Sequence, residues 1–130
     1  SYYHSKPNRS GPVLTVSSSG AYAGFVNIYY EDIFASDCFT IEPNNLLDIE
    51  YLFRVLKSNQ ERIYELTTGA AQPHIYPKNF ENFRIPLPPL EIQKKLVDKI
   101  NKYQGEIKSN LEKNQELESK INDVISDLYN

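Results

Sequence analysis

The side chains best suited to chemistry lie in the loop at residues 70–80, which contains two prolines. Gln72 can form paired hydrogen bonds with the edge of an adenine base, and His74 lies two positions further along the chain. Lys78 and Arg84 could neutralise phosphate groups. These residue types favour contact with a nucleic acid. Gln72 could instead brace the end of the preceding helix, and the two cations could be solvated surface charges.

Two earlier segments hold further candidates for nucleic-acid contact. The N-terminal run mixes aromatic rings with cations, as nucleic-acid surfaces do, and its candidates are Tyr3, His4, Lys6 and Arg9. A turn rich in serine and glycine can offer hydroxyls and backbone amides to phosphates or bases, and its candidates are Ser18, Ser19 and Tyr22. The alternatives are a disordered end for the first segment and a plain β-turn for the second.

Catalysis has little support in the sequence. Cys38 is the only cysteine, and the spacing of His4 and His74 marks neither of them as its partner in a nucleophilic site. The same three residues form no convincing zinc site, so we expect no metal and no cofactor. We find no methyltransferase or nuclease motif and no glycine loop for phosphates. A non-catalytic protein is predicted, and a small thiol-dependent hydrolase is the least favoured class.

The composition fits one small domain in a reducing compartment. The chain has 130 residues with 12% aromatic residues, more than a disordered chain would carry. A single cysteine allows no internal disulfide, which predicts a cytoplasmic location. No apolar run approaches the length of a membrane span, and no signal peptide is visible. Because the chain begins at Ser1 and contains no Met, we expect further residues upstream.

The charge balance argues against a simple nucleic-acid binder, because such domains are usually basic. The net charge is -3, and residues 1–90 hold 7 Lys and Arg against 9 Asp and Glu. Residues 91–130 hold 7 against 8, so both parts are mildly acidic. Phosphate contacts need only local cations, and a larger assembly can supply the rest of the positive electrostatic field that attracts DNA.

The hydrophobic pattern before residue 90 predicts a small mixed α/β domain. Strands are predicted at Val13–Ser17, Phe25–Tyr30, Ile33–Ile41 and Phe83–Leu87. Asp48 can cap a helix from about Ile49 to Leu66, because apolar residues recur there at helical spacing and Gly69 follows its end. We therefore expect residues 1–89 to form the domain.

A long helix is predicted from Glu91 to Leu128, so that residues 90–130 form an arm. Apolar side chains recur every three or four residues along a coiled-coil seam, whose members are Leu96, Ile100, Tyr103, Ile107, Leu117, Ile121, Val124 and Leu128. Asn110 and Asn114 lie on the same seam, where a buried Asn fixes register and partner. The helix would be about 57 Å long at 1.5 Å per residue, so its far end needs a partner helix.

The segment from Thr68 to Ile100 resembles the end of a target-recognition domain in type I restriction-modification specificity subunits. The resemblance rests on a Gly-x-x-Gln step at Gly69 and Gln72, on the run I-P-L-P-P-L-E-x-Q from Ile85 to Gln93, and on the long amphipathic helix that follows. Ser17–Gly24 and Ala35–Cys38 resemble the central glycine turn and the aromatic-polar strand of that family.

The resemblance implies a domain that recognises half of a split double-stranded DNA site, joined to a spacer helix. Such subunits hold two recognition domains, and their antiparallel helices set the half-site spacing and bind methyltransferase subunits. This chain would catalyse nothing itself and would direct methylation and restriction by its partner subunits. Its seam would pair with a second recognition domain or with a second copy.

The sequence leaves the larger assembly open. The chain could be half of a two-domain protein, a natural half-subunit that dimerises, or the recognition region of a fused methyltransferase. The rival from another class is a protein-interaction module whose helix only oligomerises, which the acidic net charge favours.

Overall fold

The computed structural model describes residues 11–69 and 71–130. Its strands are β1 (Val13–Ser17), β2 (Val26–Tyr29) and β3 (Cys38–Ile41), and its helices are α1 (Ile49–Ser58), α2 (Gln60–Tyr64) and α3 (Leu90–Ser126). Short 3-10 turns span Pro77–Phe80 and Asp127–Tyr129. A small sheet with helices, followed by one long helix, confirms the predicted fold class.

Strand β1 is the centre of an antiparallel sheet in the order β2-β1-β3. Val16 pairs with Val26 of β2 on one side and with Phe39 of β3 on the other. Because successive side chains of a strand alternate between faces, Leu14 and Val16 share one face of the sheet. Both are fully buried, so this face carries the core of the domain.

The core joins the sheet to the two short helices and to the loop near residue 75. The cluster of buried residues consists of Leu14, Val16, Ala23, Val26, Leu52, Leu56, Ile63 and Ile75. Complete burial of a Leu, Ile or Val side chain stabilises a fold by about 1.5–3 kcal/mol. Ile75 therefore anchors an otherwise irregular loop to the sheet and to α2.

Helix α1 begins where the sequence predicts but ends early. The carboxylate of Asp48 accepts a 3.0 Å hydrogen bond from the amide of Tyr51, which caps the helix. The single predicted helix to Leu66 is wrong, because the backbone breaks at Asn59. The side chains of Ser58 and Asn59 both donate to the carbonyl of Val55 at 2.8 Å, and so they occupy the acceptor that a continuing helix would use.

The predicted strand at Phe83–Leu87 is also wrong. Residues 83–89 follow an irregular path with no ladder of hydrogen bonds. Pro86 has no amide to donate, and its carbonyl accepts a 2.8 Å hydrogen bond from the hydroxyl of Tyr51. The ring of Phe83 packs edge-on against Phe80, with centroids 5.9 Å apart. Side-chain contacts hold this segment where strand pairing was expected.

Helix α3 has 37 residues and nearly matches the predicted range. The chain divides into two compact units between Lys94 and Lys95. In the second unit all residues from 101 to 130 are exposed, and the large apolar members of the predicted seam there are 48–76% exposed. Within the described part of the chain, no helix is long and apolar enough to cross a membrane.

Candidate nucleic-acid interface

Two loops that are distant in sequence meet at one surface. We call residues 17–25 the glycine turn and residues 67–76 the proline loop. The carbonyl of Ser18 accepts a 2.9 Å hydrogen bond from the amide of Ile75, and the amide of Gly20 donates to the carbonyl of Pro73 at 3.1 Å. Because Ile75 is fully buried, these bonds tie the glycine turn to a fixed point of the core.

The proline loop has a narrow neck. Thr68 and His74 exchange two backbone hydrogen bonds of 2.9 and 2.8 Å. Gly69 has a φ of +90°, and a Cβ at this position would lie 2.8 Å from the carbonyl oxygen of Gln72. Only glycine accepts both the dihedral and the close approach without strain. The backbone of the loop therefore requires the glycine of the Gly-x-x-Gln step.

The glycine turn is closed against α2. The amide of Ser17 donates to the carbonyl of Phe25 at 3.0 Å, and the amide of Gly24 donates back to the carbonyl of Ser17 at 2.8 Å. Gly24 has a φ of +95°, and a Cβ there would lie 3.3 Å from the Tyr64 ring and 3.4 Å from a methyl group of Ile63. A larger residue would be strained by this dihedral, and the Tyr64 ring would have to shift slightly to make room for it.

Several side chains of the two loops face solvent, although backbone hydrogen bonds hold the loops in place. Tyr22 is 72% exposed, and Ser19 and Gln72 are also exposed. His74 is half-buried and stacks on Tyr76, with ring centroids 6.1 Å apart and an interplanar angle of 12°. Hydroxyl, amide, imidazole and phenol groups therefore stand together, and these are the groups that hydrogen-bond to base edges and phosphates.

The predicted cations have different environments. Lys78 is exposed on the 3-10 turn that follows the proline loop, and this turn is held by a 2.7 Å hydrogen bond from the amide of Tyr76 to the side chain of Asn79. The guanidinium of Arg84 donates to the carbonyl of Glu81 at 3.0 Å. Lys78 is thus placed beside the loop surface, whereas Arg84 supports its own local turn.

The structure brings together most of the predicted contact residues that it describes. Ser18, Ser19 and Tyr22 share one surface with Gln72 and His74. The N-terminal candidates Tyr3, His4, Lys6 and Arg9 lie outside the described residues. In residues 11–69 and 71–130, no group of three or more His, Cys, Asp and Glu is arranged to hold a metal ion.

Sequence analysis missed three residues at this surface. Tyr76 is 55% exposed and follows the buried Ile75, an alternation that could have marked it as outward-facing. Asp37 has a φ of +53°, and its carbonyl accepts a 3.0 Å hydrogen bond from the amide of Ser18. Lys57 donates to the carbonyl of Val26 at 2.8 Å, and burial lowers the pKa of its amine. Nothing in the local sequence distinguishes Lys57 from an ordinary surface lysine.

Comparisons with known proteins agree with this architecture. A stretch of 78 residues is 38% identical to the type I restriction enzyme MjaVIII specificity subunit of Methanocaldococcus jannaschii, and it covers 59% of this chain and 18% of that protein. The crystal structure of a type-I restriction-modification system S subunit from M. genitalium matches 80% of this chain and 29% of its own, with a TM-score of 0.64 at 21% identity. This second likeness establishes a shared fold.

The chain spans less than a third of the length of either relative. The family model of the type I restriction modification DNA specificity domain matches residues 2–119, which is most of the chain. The resemblance found in the sequence is thereby confirmed, and this protein belongs to the family of type I restriction modification DNA specificity domains.

Proposed function

We propose that this chain recognises a short double-stranded DNA sequence as the specificity component of a type I restriction-modification system. One observation carries the proposal: two backbone hydrogen bonds, from the amide of Ile75 to the carbonyl of Ser18 and from the amide of Gly20 to the carbonyl of Pro73, join two distant candidate segments into one surface. A reading surface needs a fixed backbone and outward side chains, since base edges are recognised by hydrogen bonds of defined geometry. The joined loops supply both.

In this proposal, contacts with bases and contacts with phosphates are made by different residues. Base edges are read by polar and aromatic side chains of the loops, which are the exposed Ser19, Tyr22 and Gln72 and the half-buried Ser18 and His74. Lys78 binds a phosphate, and the N-terminal residues Tyr3, His4, Lys6 and Arg9 add further contacts. Phosphate contacts position the protein, whereas base contacts determine the sequence that it selects.

Residues 1–89 act as the recognition domain and residues 90–130 as the spacer arm. The arm pairs antiparallel with the helix of a second recognition domain or of a second copy. The support is the row of exposed apolar side chains along α3, comprising Tyr103, Ile107, Leu117, Ile121, Val124 and Leu128, with Leu96 and Ile100 nearer its start and Asn114 within it. A helix with such a seam buries it by packing on another helix.

The catalytic partners are methyltransferase and restriction subunits. This chain supplies selectivity and no chemistry, and it needs no cofactor for binding. Its net charge of -3 fits a component that binds DNA within an assembly, because the other subunits contribute to the positive field that attracts DNA.

A selection of bound sequences from a random duplex pool tests the proposal. The purified chain is used at moderate salt, with and without a methyltransferase subunit. We expect enrichment of a motif of a few base pairs, or of two such motifs at fixed spacing when two domains act together. The absence of any enriched motif, with weak binding even at low salt, would favour the protein-interaction module instead.

Salt dependence provides a second discriminator. Binding driven by phosphate contacts weakens steeply between about 50 and 200 mM salt, because condensed counterions are released from the DNA. The selected duplex should show this dependence, and a duplex with the motif scrambled should bind more weakly at each salt concentration.

A further inference from the structure

Gln60, the first residue of α2, holds the end of the glycine turn by both ends of its amide. Its Nε2 donates a 2.7 Å hydrogen bond to the carbonyl of Gly24, and its Oε1 accepts a 3.0 Å hydrogen bond from the amide of Val26. These groups lie on the two sides of Phe25. One side chain therefore fixes the peptide planes before and after that residue.

Lys57, in the last turn of α1, completes the same arrangement. Its Nζ lies 2.8 Å from the carbonyl of Val26, 3.3 Å from Oε1 of Gln60 and 3.7 Å from the centroid of the Phe25 ring. An ammonium group has three N–H donors, and these two oxygens and one ring face are partners within their reach. The Lys57 amine is thus engaged by groups of the protein at the end of the glycine turn.

The backbone that Lys57 and Gln60 contact includes a glycine with wide conformational freedom. Gly24 has a φ of +95°, and glycine lacks the steric limits that confine other residues to one conformation. Backbone hydrogen bonds close the turn, and the contacts from Lys57 and Gln60 fix the residues at which the chain leaves it. These contacts therefore support the conformation that presents Tyr22 and the serines.

We propose that Lys57 and Gln60 are positioning residues, which set the conformation of the glycine turn for sequence discrimination without touching DNA. The proposal rests on the proposed function, since it concerns how the same surface reads DNA. It differs from the usual role of lysine at such a surface, which is to neutralise a phosphate. The two roles predict different dependence on salt and on sequence.

The test compares the affinities of wild type and Lys57→Met for the selected duplex and for a scrambled duplex across a salt series. We expect the affinity for the selected duplex to fall about tenfold, as for the loss of a hydrogen bond from a charged group. Binding to the scrambled duplex and the slope of log affinity against log salt should stay unchanged. A phosphate contact would instead weaken both duplexes and reduce the slope by about one.

Three further variants sharpen the comparison. Lys57→Arg keeps a cation with several donors and should restore most of the discrimination. Gln60→Glu keeps the acceptor for Val26 and Lys57 but loses the donor to Gly24, so it should lose discrimination while it remains folded. Lys108→Met removes one charge from an exposed position of α3 and serves as the matched control. Thermal unfolding monitored by circular dichroism confirms that each variant is folded.

If both Lys57→Met and Gln60→Glu distinguish the selected duplex from the scrambled duplex as well as wild type does, the inference is overturned. A slope of log affinity against log salt that is smaller for Lys57→Met than for wild type would also overturn it. If Lys57→Met does not fold, Gln60→Glu alone decides the question by its discrimination. A wild-type chain that binds both duplexes equally would overturn the proposed function itself, so the two failures are distinguishable.

Discussion

The side-chain oxygen of Gln93 accepts a 2.8 Å hydrogen bond from the amide of Asp48, 45 residues earlier in the chain. Its Nε2 donates to the carbonyls of Leu46 and Pro88 at 2.9 and 2.8 Å. Gln93 is fully buried, so one side chain satisfies three backbone groups beside the starts of α1 and α3. This arrangement explains why the I-P-L-P-P-L-E-x-Q run ends in glutamine.

Gln93→Leu should therefore destabilise the chain strongly. The substitution conserves approximate size but leaves the Asp48 amide and two carbonyls without their partner, at a cost of about 3 kcal/mol. Urea denaturation measures the change in the free energy of unfolding. Gln115→Leu, at an exposed position of the same helix, is the control and should change it little. Equal effects of the two substitutions would contradict the role assigned to Gln93.

Two glycine substitutions should have opposite effects. Gly69→Ala places a Cβ 2.8 Å from the carbonyl of Gln72 at a φ of +90°, and it should destabilise the fold by about 1–2 kcal/mol. Gly105→Ala lies in α3, where the new Cβ meets nothing within 4 Å beyond the adjoining backbone of its own helix, and it should favour the helix by up to about 1 kcal/mol. Thermal unfolding measures the first effect, and helix content by circular dichroism measures the second. Tolerance of Gly69→Ala would show that the narrow neck of the loop is not needed.

Gln72→Ala and Lys78→Ala should separate base reading from phosphate binding. Loss of Gln72 should relax the selected motif at one base pair and cost about 1–3 kcal/mol of discrimination. Loss of Lys78 should weaken binding to all duplexes alike and reduce the salt slope by about one. Selection from the random pool, followed by affinity measurements at several salt concentrations, provides both readouts. An unchanged motif for Gln72→Ala would support the alternative, in which Gln72 only braces the end of the preceding helix.

The stability contributed by Lys57 should depend on pH. Burial lowers the pKa of its amine below the ordinary 10.5, to which unfolding restores it. Between the lowered pKa and 10.5 the unfolded chain binds more protons than the folded chain, so stability rises with pH in that window. The free energy of unfolding of wild type minus that of Lys57→Met should therefore increase as the pH rises towards 10.5. The same comparison with Lys108→Met corrects for the removal of a lysine charge, and a decrease with pH would refute the expectation.

Asn114→Ile should make the paired arm more stable and less specific in its register and in the number of helices that it pairs with. A polar residue on a coiled-coil seam lowers stability but restricts register and partner number, so its replacement by Ile relaxes both restrictions. Light scattering after size exclusion should show a broader range of oligomers, and the melting temperature of the assembly should rise. A monomer for both wild type and variant at all concentrations would refute pairing through the seam of a second copy.

Local sequence patterns predicted the long helix and the first strand better than the breaks and irregular segments between secondary-structure elements. A run of β-branched residues located β1, and the 3–4 spacing located α3, because both signals come from residues close in sequence. The break at Asn59 was missed because it depends on side chains that compete for one carbonyl. The strand expected at Phe83–Leu87 was wrong because Pro86 and its neighbours could not join a ladder.

The sequence identified most candidate residues of the site but did not show which of them come together in the fold. Serine, glutamine and histidine were each recognisable by type, yet nothing local to Ser18 shows that its carbonyl meets the amide of Ile75. Lys57 and Gln60 look like ordinary helix residues, since their role depends on contacts with the turn about 30 residues earlier. Long-range contacts of this kind come from the tertiary fold.

The bonds that join the glycine turn to the proline loop run between main-chain atoms, and so do those between Thr68 and His74. Every residue has a backbone carbonyl and every residue except proline has an amide, so these bonds do not depend on the side chains. Exchanging Ser19, Tyr22 or Gln72 therefore leaves the frame intact while it changes the groups presented to solvent. The surface is suited to combinatorial redesign: a library randomised at these three positions should retain the fold and yield members with new target preferences.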